Sequence, residues 1–423
     1  MIAEEGAVWV GDVGGGGYAS RREGEAVAST LETRGAEEAR VGEALRLIDE
    51  WIGPQGPPGA GAVVWRRGEV IAERYAGEAR TGVPVDEQTI FPLASVTKPV
   101  TAAVVMTLVE QGQVSLDEPV TRLVPEFRTG PGAGADGVDL VLERLRPTVT
   151  VRQLLSHTAG LREDLAPRES RYAEQVPLGA IIDAMCRLPL RSEPGSEVYY
   201  SNVGYGVLAR LVERVTGQEF WIAARERVLG PLDLESTVAQ PGPRETPRIA
   251  ELMDTTHTGT EVETYNGAYW RDLAIPWGGL FGTPRDLARF AGAFLPDGPH
   301  LLSAAGTGLM TSDQAGGLPG GVESARVRWD VAHWGLGWEV KGSKRRHWTG
   351  ELTSPATFCH FGAAGTLLWV DPVHDLALAV FANRSVAHMW AFILARWARL
   401  SNAVVAAADE RGAGRGKTDG RQV

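Results

Sequence analysis

Two groups of strand-like segments lie far apart in this sequence, and they constrain its fold more than any other feature. Near the start, GAVVWRRGEVIAERYAG reads as two strands joined by a tight turn at Arg66-Arg67-Gly68. Near the end, HFGAAGTLLWVDPVHDLALAVFAN gives two strand-like runs around an Asp371-Pro372 turn. Helical patterns fill the section between about 115 and 275, among them TVRQLLSHTAGL, AIIDAMCRL and GYGVLARLVERVTG, which stops at Gly217. Strands early and late with helices between them imply one sheet assembled from both chain ends, with a mainly helical insertion.

The flanks refine this. Residues 1–35 are rich in Gly, Glu and Ala with little apolar period, and read as a loose N-terminal extension. From Glu37, EEARVGEALRLIDEWI places Val41, Leu45, Leu47, Ile48 and Trp51 at helical spacing, and GPQGPPGAG breaks that helix. TPRDLARFAGAF carries a Thr283 N-cap with Pro284 at the first helical position. MWAFILARWARLSNAVVAA is a terminal amphipathic helix. The expected organisation is therefore an extension over 1–35, one catalytic domain over 36–408 and a disordered tail over 409–423.

Net charge is −11, which argues against nucleic-acid binding and against a polybasic membrane anchor. No run of about eighteen apolar residues is present, so no transmembrane helix is expected. The N-terminus lacks the basic start and apolar core of a secretory signal, and a cytoplasmic location is expected. The two cysteines, Cys186 and Cys359, set no disulfide framework and read as buried thiols. No Cys/His group has zinc spacing, and neither metal nor cofactor is expected.

The chemistry begins at FPLASVTKPVTAAVVMTLVEQG, a helix opening near Ser95 and closing at Gly112. Pro99 is tolerable in its first turn, where backbone N–H groups have no intrahelical partner. Residues three apart share a helix face, so Lys98 can reach the Ser95 hydroxyl. A serine needs a neighbouring base, and a lysine can serve if burial or nearby positive charge lowers its pKa. Alone, S-x-x-K is more often a capped helix start with a solvated lysine. A second motif, Tyr200-Ser201-Asn202, changes those odds. A Tyr200 phenolate beside a lysine ammonium could carry the serine proton, and Asn202 could hold a substrate carbonyl or amide.

H-x-G occurs at His257, His333 and His360, and spacing alone does not choose among them. The 257 copy sits in a Thr-rich loop, and the 333 copy brings tryptophans. Only the 360 copy opens a plausible strand, HFGAAGTLLWV, whose edge could supply an oxyanion N–H beside the serine. Small residues there, beginning with Gly362, would let a substrate approach the backbone.

These motifs, with LVEQGQVSLDEPV, LLSHTAGL, WGGLFGTPRDLARF and CHFGAAGTLLWVDP, resemble the serine β-lactamase-like superfamily, in particular its class C β-lactamase and family VIII carboxylesterase branch. The resemblance spans about residues 40–405. It implies an α+β fold: an antiparallel sheet flanked by helices, plus a mainly helical region at about 115–275, with the site between them. It makes Ser95 the acylated nucleophile, Lys98 its proton partner and Tyr200 the general base and acid. Asn202 and His360 would contact substrate, the N–H groups of Ser95 and Ala363 would form the oxyanion hole, and His157 would be structural.

The chain departs from the many members that carry Lys-Thr-Gly where His360-Phe361-Gly362 stands. A neutral histidine and a phenylalanine offer little to a substrate carboxylate, although Lys341, Lys344, Arg345 and Arg346 lie in a nearby segment. That favours small esters, with a β-lactam or a D-amino-acid amide or peptide as the alternative. A catalytically silent binding protein is the reading from another class. The expected partner is a small-molecule ester or amide, with no nucleic acid or membrane, and the oligomeric state is left open.

Overall fold

The computed structural model describes residues 33–130, 138–387 and 390–409. Most of the extension and all but the first residue of the expected tail lie outside them. An antiparallel seven-stranded sheet is built from both chain ends. Its strands are β1 (Gly59–Arg66), β2 (Glu69–Arg80), β3 (Val83–Pro84), β4 (Glu339–Val340), β5 (Phe358–Gly362), β6 (Thr366–Asp371) and β7 (Leu376–Ala382), in the order β3-β2-β1-β7-β6-β5-β4. The first and last long strands pair directly, with Ala62 opposite Val380. The β1–β2 turn is Arg67-Gly68, both at positive φ, as a tight hairpin requires.

Alternating side chains serve two cores. On one face, Ala62, Val64, Trp369, Leu378 and Val380 pack against α1 (33–45), with its 3₁₀ continuation Arg46–Trp51, and against the C-terminal α5 (Trp390–Ala408). On the other, Val63, Trp65, Val370, Ala379 and Phe381 meet α4 (Pro284–Gly292). With both faces covered, β6 and β7 are buried throughout and show no polar alternation.

The central helix α2 (Thr97–Glu110) lies between this sheet layer and the helical region that includes α3 (Asn202–Thr216). Every residue from Thr97 to Leu108 is buried, so α2 has no polar stripe. Thr283 caps α4 through the Asp286 N–H, as its sequence implied.

Two local expectations are corrected. HFGAAGTLLWV is two strands, because Gly365 takes φ 91° and folds Phe358–Gly362 back onto Thr366–Asp371. The regular helix starts at Thr97; Ser95 belongs to a preceding 3₁₀ turn, Ala94–Val96, and its side chain caps nothing. Both cysteines are buried thiols. Among the described residues no helix is long and apolar enough to cross a membrane.

Candidate active site

Ser95 is held from three directions. Ala94, immediately before it, has φ 47°, a conformation costly for a residue with a side chain. The segment after Pro276 clamps the start of α2. The Thr101 hydroxyl donates to the Pro276 carbonyl (2.5 Å), and the Leu280 N–H donates to the Thr97 hydroxyl (3.2 Å). The end of β5 closes the third side. A Cβ on Gly362 would collide with the Leu93 carbonyl and the Thr366 hydroxyl, and that hydroxyl already donates to Leu93 O (2.8 Å). Glycine is needed at 362 because backbone meets backbone there. The contact brings Ala363, exposed at the hairpin tip, beside the Ser95 turn. The Ser95 N–H opens a helical turn, where amides lack internal partners.

Lys98 is fully buried. Its Nζ lies 3.2 Å from Ser95 Oγ and 2.8 Å from the Trp277 carbonyl, under the rings of Tyr200 (4.7 Å) and Tyr205 (5.6 Å). Burial lowers its pKa from 10.5 to about 7, against the opposing pull of Asp164 and Glu163. Tyr200 interacts with the Ser95 hydroxyl, yet burial pushes its phenol well above 10. The resting site therefore pairs a neutral phenol with a lysine poised near neutrality, which reverses the expectation of a Tyr200 phenolate beside an ammonium.

His157 braces the Tyr200 turn. Its Nδ1 accepts the Ser201 N–H (2.9 Å), its carbonyl accepts the Tyr199 N–H (2.8 Å), and its ring packs against Tyr200, Tyr205 and Trp334. Burial, then Lys98, holds it neutral, well below 6.5. Asn202 donates through Nδ2 to the Asp164 carboxylate (3.0 Å), while its Oδ1 is buried without a partner. His360 is buried in β5, bonded at Nδ1 to the Phe361 carbonyl (2.9 Å), 6.0 Å from the Tyr200 ring. Burial and then Lys98 lower its pKa to about 3, so it carries no charge near neutral pH. Of the other H-x-G copies, His257 sits in an exposed turn, whereas Trp334 of the 333 copy does reach Tyr200 and His157.

The nearby lysines do not supply the missing cation. The Lys341 ammonium is bonded to Gly350 O and to Thr353 (2.6–2.9 Å), and Lys344 pairs with Glu339 at 3.0 Å. Glu339, His347 and Cys359 come close together in the interior, although far from zinc spacing in sequence. There Lys344 and the Trp348 indole N–H (2.8 Å) already occupy the two carboxylate oxygens.

Sequence reasoning missed Glu163, Asp164 and Tyr265. The first two follow LLSHTAGL after one arginine, Arg162, and look like ordinary solvated acids. Glu163 accepts the Ser324 N–H and Asp164 accepts the Asn202 amide, and both act electrostatically on Lys98. Tyr265, at φ 65°, packs against Ala94 and Ala364, the neighbours of Ser95 and Ala363.

A serine-bearing 3₁₀ turn ahead of a buried helix, a lysine one turn on and a tyrosine from the helical region make the arrangement expected of a β-lactamase-like fold. The comparisons agree: the Beta-lactamase family model matches residues 44–402, and the chain belongs to that family. It is 31% identical over 345 residues to Penicillin-binding protein 4 of Amycolatopsis lactamdurans, covering 78% of this chain and 82% of that one. It is 36% identical over 189 residues to Esterase EstB of Burkholderia gladioli, covering 42% and 45%. The crystal structure of a penicillin-binding protein homologue from Caulobacter crescentus superposes with a TM-score of 0.70 at 25% identity, covering 87% of this chain and 97% of that one.

Proposed function

We propose that this protein hydrolyses small carboxylic esters through an acyl-enzyme on Ser95. The observation that carries the proposal is the Lys98 nitrogen, 3.2 Å from Ser95 Oγ and with its pKa lowered to about 7. Neutral Lys98 takes the Ser95 proton as Oγ attacks the ester carbonyl. The N–H groups of Ser95 and Ala363 stabilise the oxyanion. As the tetrahedral intermediate collapses, the leaving alkoxide receives the Tyr200 proton, which the Lys98 ammonium replaces. Water then attacks the acyl group, giving one proton to the same relay, and Ser95 regains its hydrogen as the acid departs.

The choice of an ester without a carboxylate rests on charge. Where a carboxylate would need donors, the site offers a neutral His360, Phe361 and two acids, Glu163 and Asp164. The likeness to Penicillin-binding protein 4 supports a second reading, a β-lactam substrate. Turnover of p-nitrophenyl butyrate by the wild type and its loss in Ser95→Ala test the ester reading. Nitrocefin hydrolysis faster than ester turnover would favour the second, and equal ester turnover by both proteins would remove the first.

A further inference from the structure

The catalytic cleft presents acceptors where a substrate amide would want a donor. In the Tyr200-Ser201-Asn202 turn the Asn202 amide could point either way, but the Asp164 carboxylate can only accept. Nδ2 must therefore face Asp164 Oδ2 (3.0 Å), which fixes Oδ1 as the end left over. That oxygen is buried and has no protein partner, whereas buried polar atoms are generally satisfied by protein, water or a bound ligand. A ligand meeting it must bring an N–H or O–H.

Charge points the same way. Asp164 is solvent-exposed yet closely surrounded by protein, as expected of a group facing a cleft. Glu163 lies beside it, and among the described residues neither has a lysine or arginine at ion-pair distance. Arg162, the adjacent guanidinium, pairs with Glu169. Both carboxylates act on Lys98, the base proposed to give up its charge. When Lys98 is neutral, the one cation among the described residues still acting on Asp164 is Arg162, which is engaged with Glu169.

The walls are aromatic. Tyr265 packs on Ala94 next to the nucleophile and lies 5.8 Å from Trp270, which in turn lies 4.9 Å from Tyr172. Both tyrosines act electrostatically with Asp164. Aromatic faces with a carboxylate at one end suit an organic ammonium, which gains from both.

Building on the ester-hydrolase reading, we propose that the acyl portion of the substrate carries a primary ammonium group, held by Asp164 and Asn202 Oδ1 near the Tyr265 ring. The substrate class is then an aminoacyl ester or amide. The ammonium donates to both oxygens, and Glu163 adds longer-range attraction. An acyl group bearing a carboxylate is repelled by the same pair.

Three methyl esters test this at pH 7, where an α-amino group with a pKa of about 7.7–8.0 is mostly charged. They are alanine methyl ester in both enantiomers, methyl isobutyrate, which puts a methyl in place of the ammonium, and methyl hydrogen succinate. The wild type should prefer one alanine ester over the isobutyrate by about tenfold or more in kcat/KM, with the succinate slowest. The preference should shrink severalfold between about 20 mM and about 500 mM salt. Asp164→Asn, which can still accept from Asn202, should cut the alanine-to-isobutyrate ratio about tenfold; Glu163→Gln should lower it by less and serves as the second variant if the first fails to fold. Equal kcat/KM for alanine and isobutyrate esters in the wild type, or a ratio unmoved by salt and by both substitutions, overturns the proposal and leaves the ester hydrolase standing. Hydrolysis of none of the three overturns both.

Discussion

The Lys98 side chain bridges two partners of different kinds: Ser95 Oγ at 3.2 Å and the Trp277 carbonyl at 2.8 Å. The carbonyl fixes the nitrogen in the interior, and the interior takes its charge away. A lysine in this position is a cost to the fold and an asset to the serine.

That cost sets a pH dependence for activity. With Lys98 neutral as the working form, kcat/KM for a neutral ester should rise about tenfold per pH unit below about 7 and level off above it. A profile flat from pH 5 to 9 would remove Lys98 as the base.

Stability should respond in the same sense. The folded pKa of Lys98, about 7, lies below its ordinary 10.5, so between those values the unfolded chain holds the extra proton. The contribution of this group to stability therefore rises with pH across that window, by at most about 1.4 kcal/mol per unit, and its penalty is full below about 7. Lys98→Met should abolish ester turnover while raising the denaturant midpoint, more at pH 6 than at pH 10. Denaturant titrations at the two pH values check the sign.

Tyr200→Phe should keep the fold, since His157 and Trp334 pack on the ring and not on the hydroxyl. It should lower kcat about 10²–10⁴-fold by removing the proton carried to the leaving group. Stopped-flow turnover of esters with good and poor leaving groups reads this out, with the smaller loss expected for p-nitrophenolate. Equal losses for both would argue against a role in protonation.

Gly362→Ala probes the β5 contact. Its methyl would meet the Leu93 carbonyl and the Thr366 hydroxyl, and overpacking of this kind costs about 1–3 kcal/mol. Because the displaced backbone carries the Ala363 N–H, kcat should fall with stability. A variant matching the wild type in both would show that the approach of β5 to the Ser95 turn is slack.

Glu339 lies opposite Cys359 on the strand beside His360. Burial pushes its pKa upward, but Lys344 and His347 outweigh that and hold it down to about 2. Its stabilising effect is thus present above the ordinary carboxylate range and lost as pH falls toward 2. Glu339→Gln leaves the Lys344 ammonium buried without its anion and should cost about 3–5 kcal/mol. Pairing it with Lys344→Met should recover part of the loss, as a double-mutant cycle in urea would measure.

The sheet was legible because its strands are long and apolar and sit at the two chain ends, and because Gly68 marks the first turn. Ser95, Lys98 and Tyr200 were legible because each lies in a short pattern whose chemistry is local. The β5–β6 hairpin was not. Ala363-Ala364-Gly365 lacks the Asn, Asp or Pro that announces a turn, and the needed φ of 91° falls on a glycine that could equally sit in a strand. Glu163 and Asp164 were hidden for another reason. Two adjacent acids look solvated until the chain folds Asn202 against them, with its N–H on the Glu163 carbonyl (2.7 Å) and its side chain on Asp164. The tyrosine's protonation state was also beyond the sequence, since it depends on how completely Tyr200 is enclosed.

The central claim is that Ser95 is the nucleophile, and covalent labelling tests it most directly. Brief treatment with a fluorophosphonate followed by intact-mass and peptide mapping should give one adduct, on Ser95, slowed by prior ester and absent from Ser95→Ala. An unlabelled wild type, or an adduct on any other residue, would contradict it.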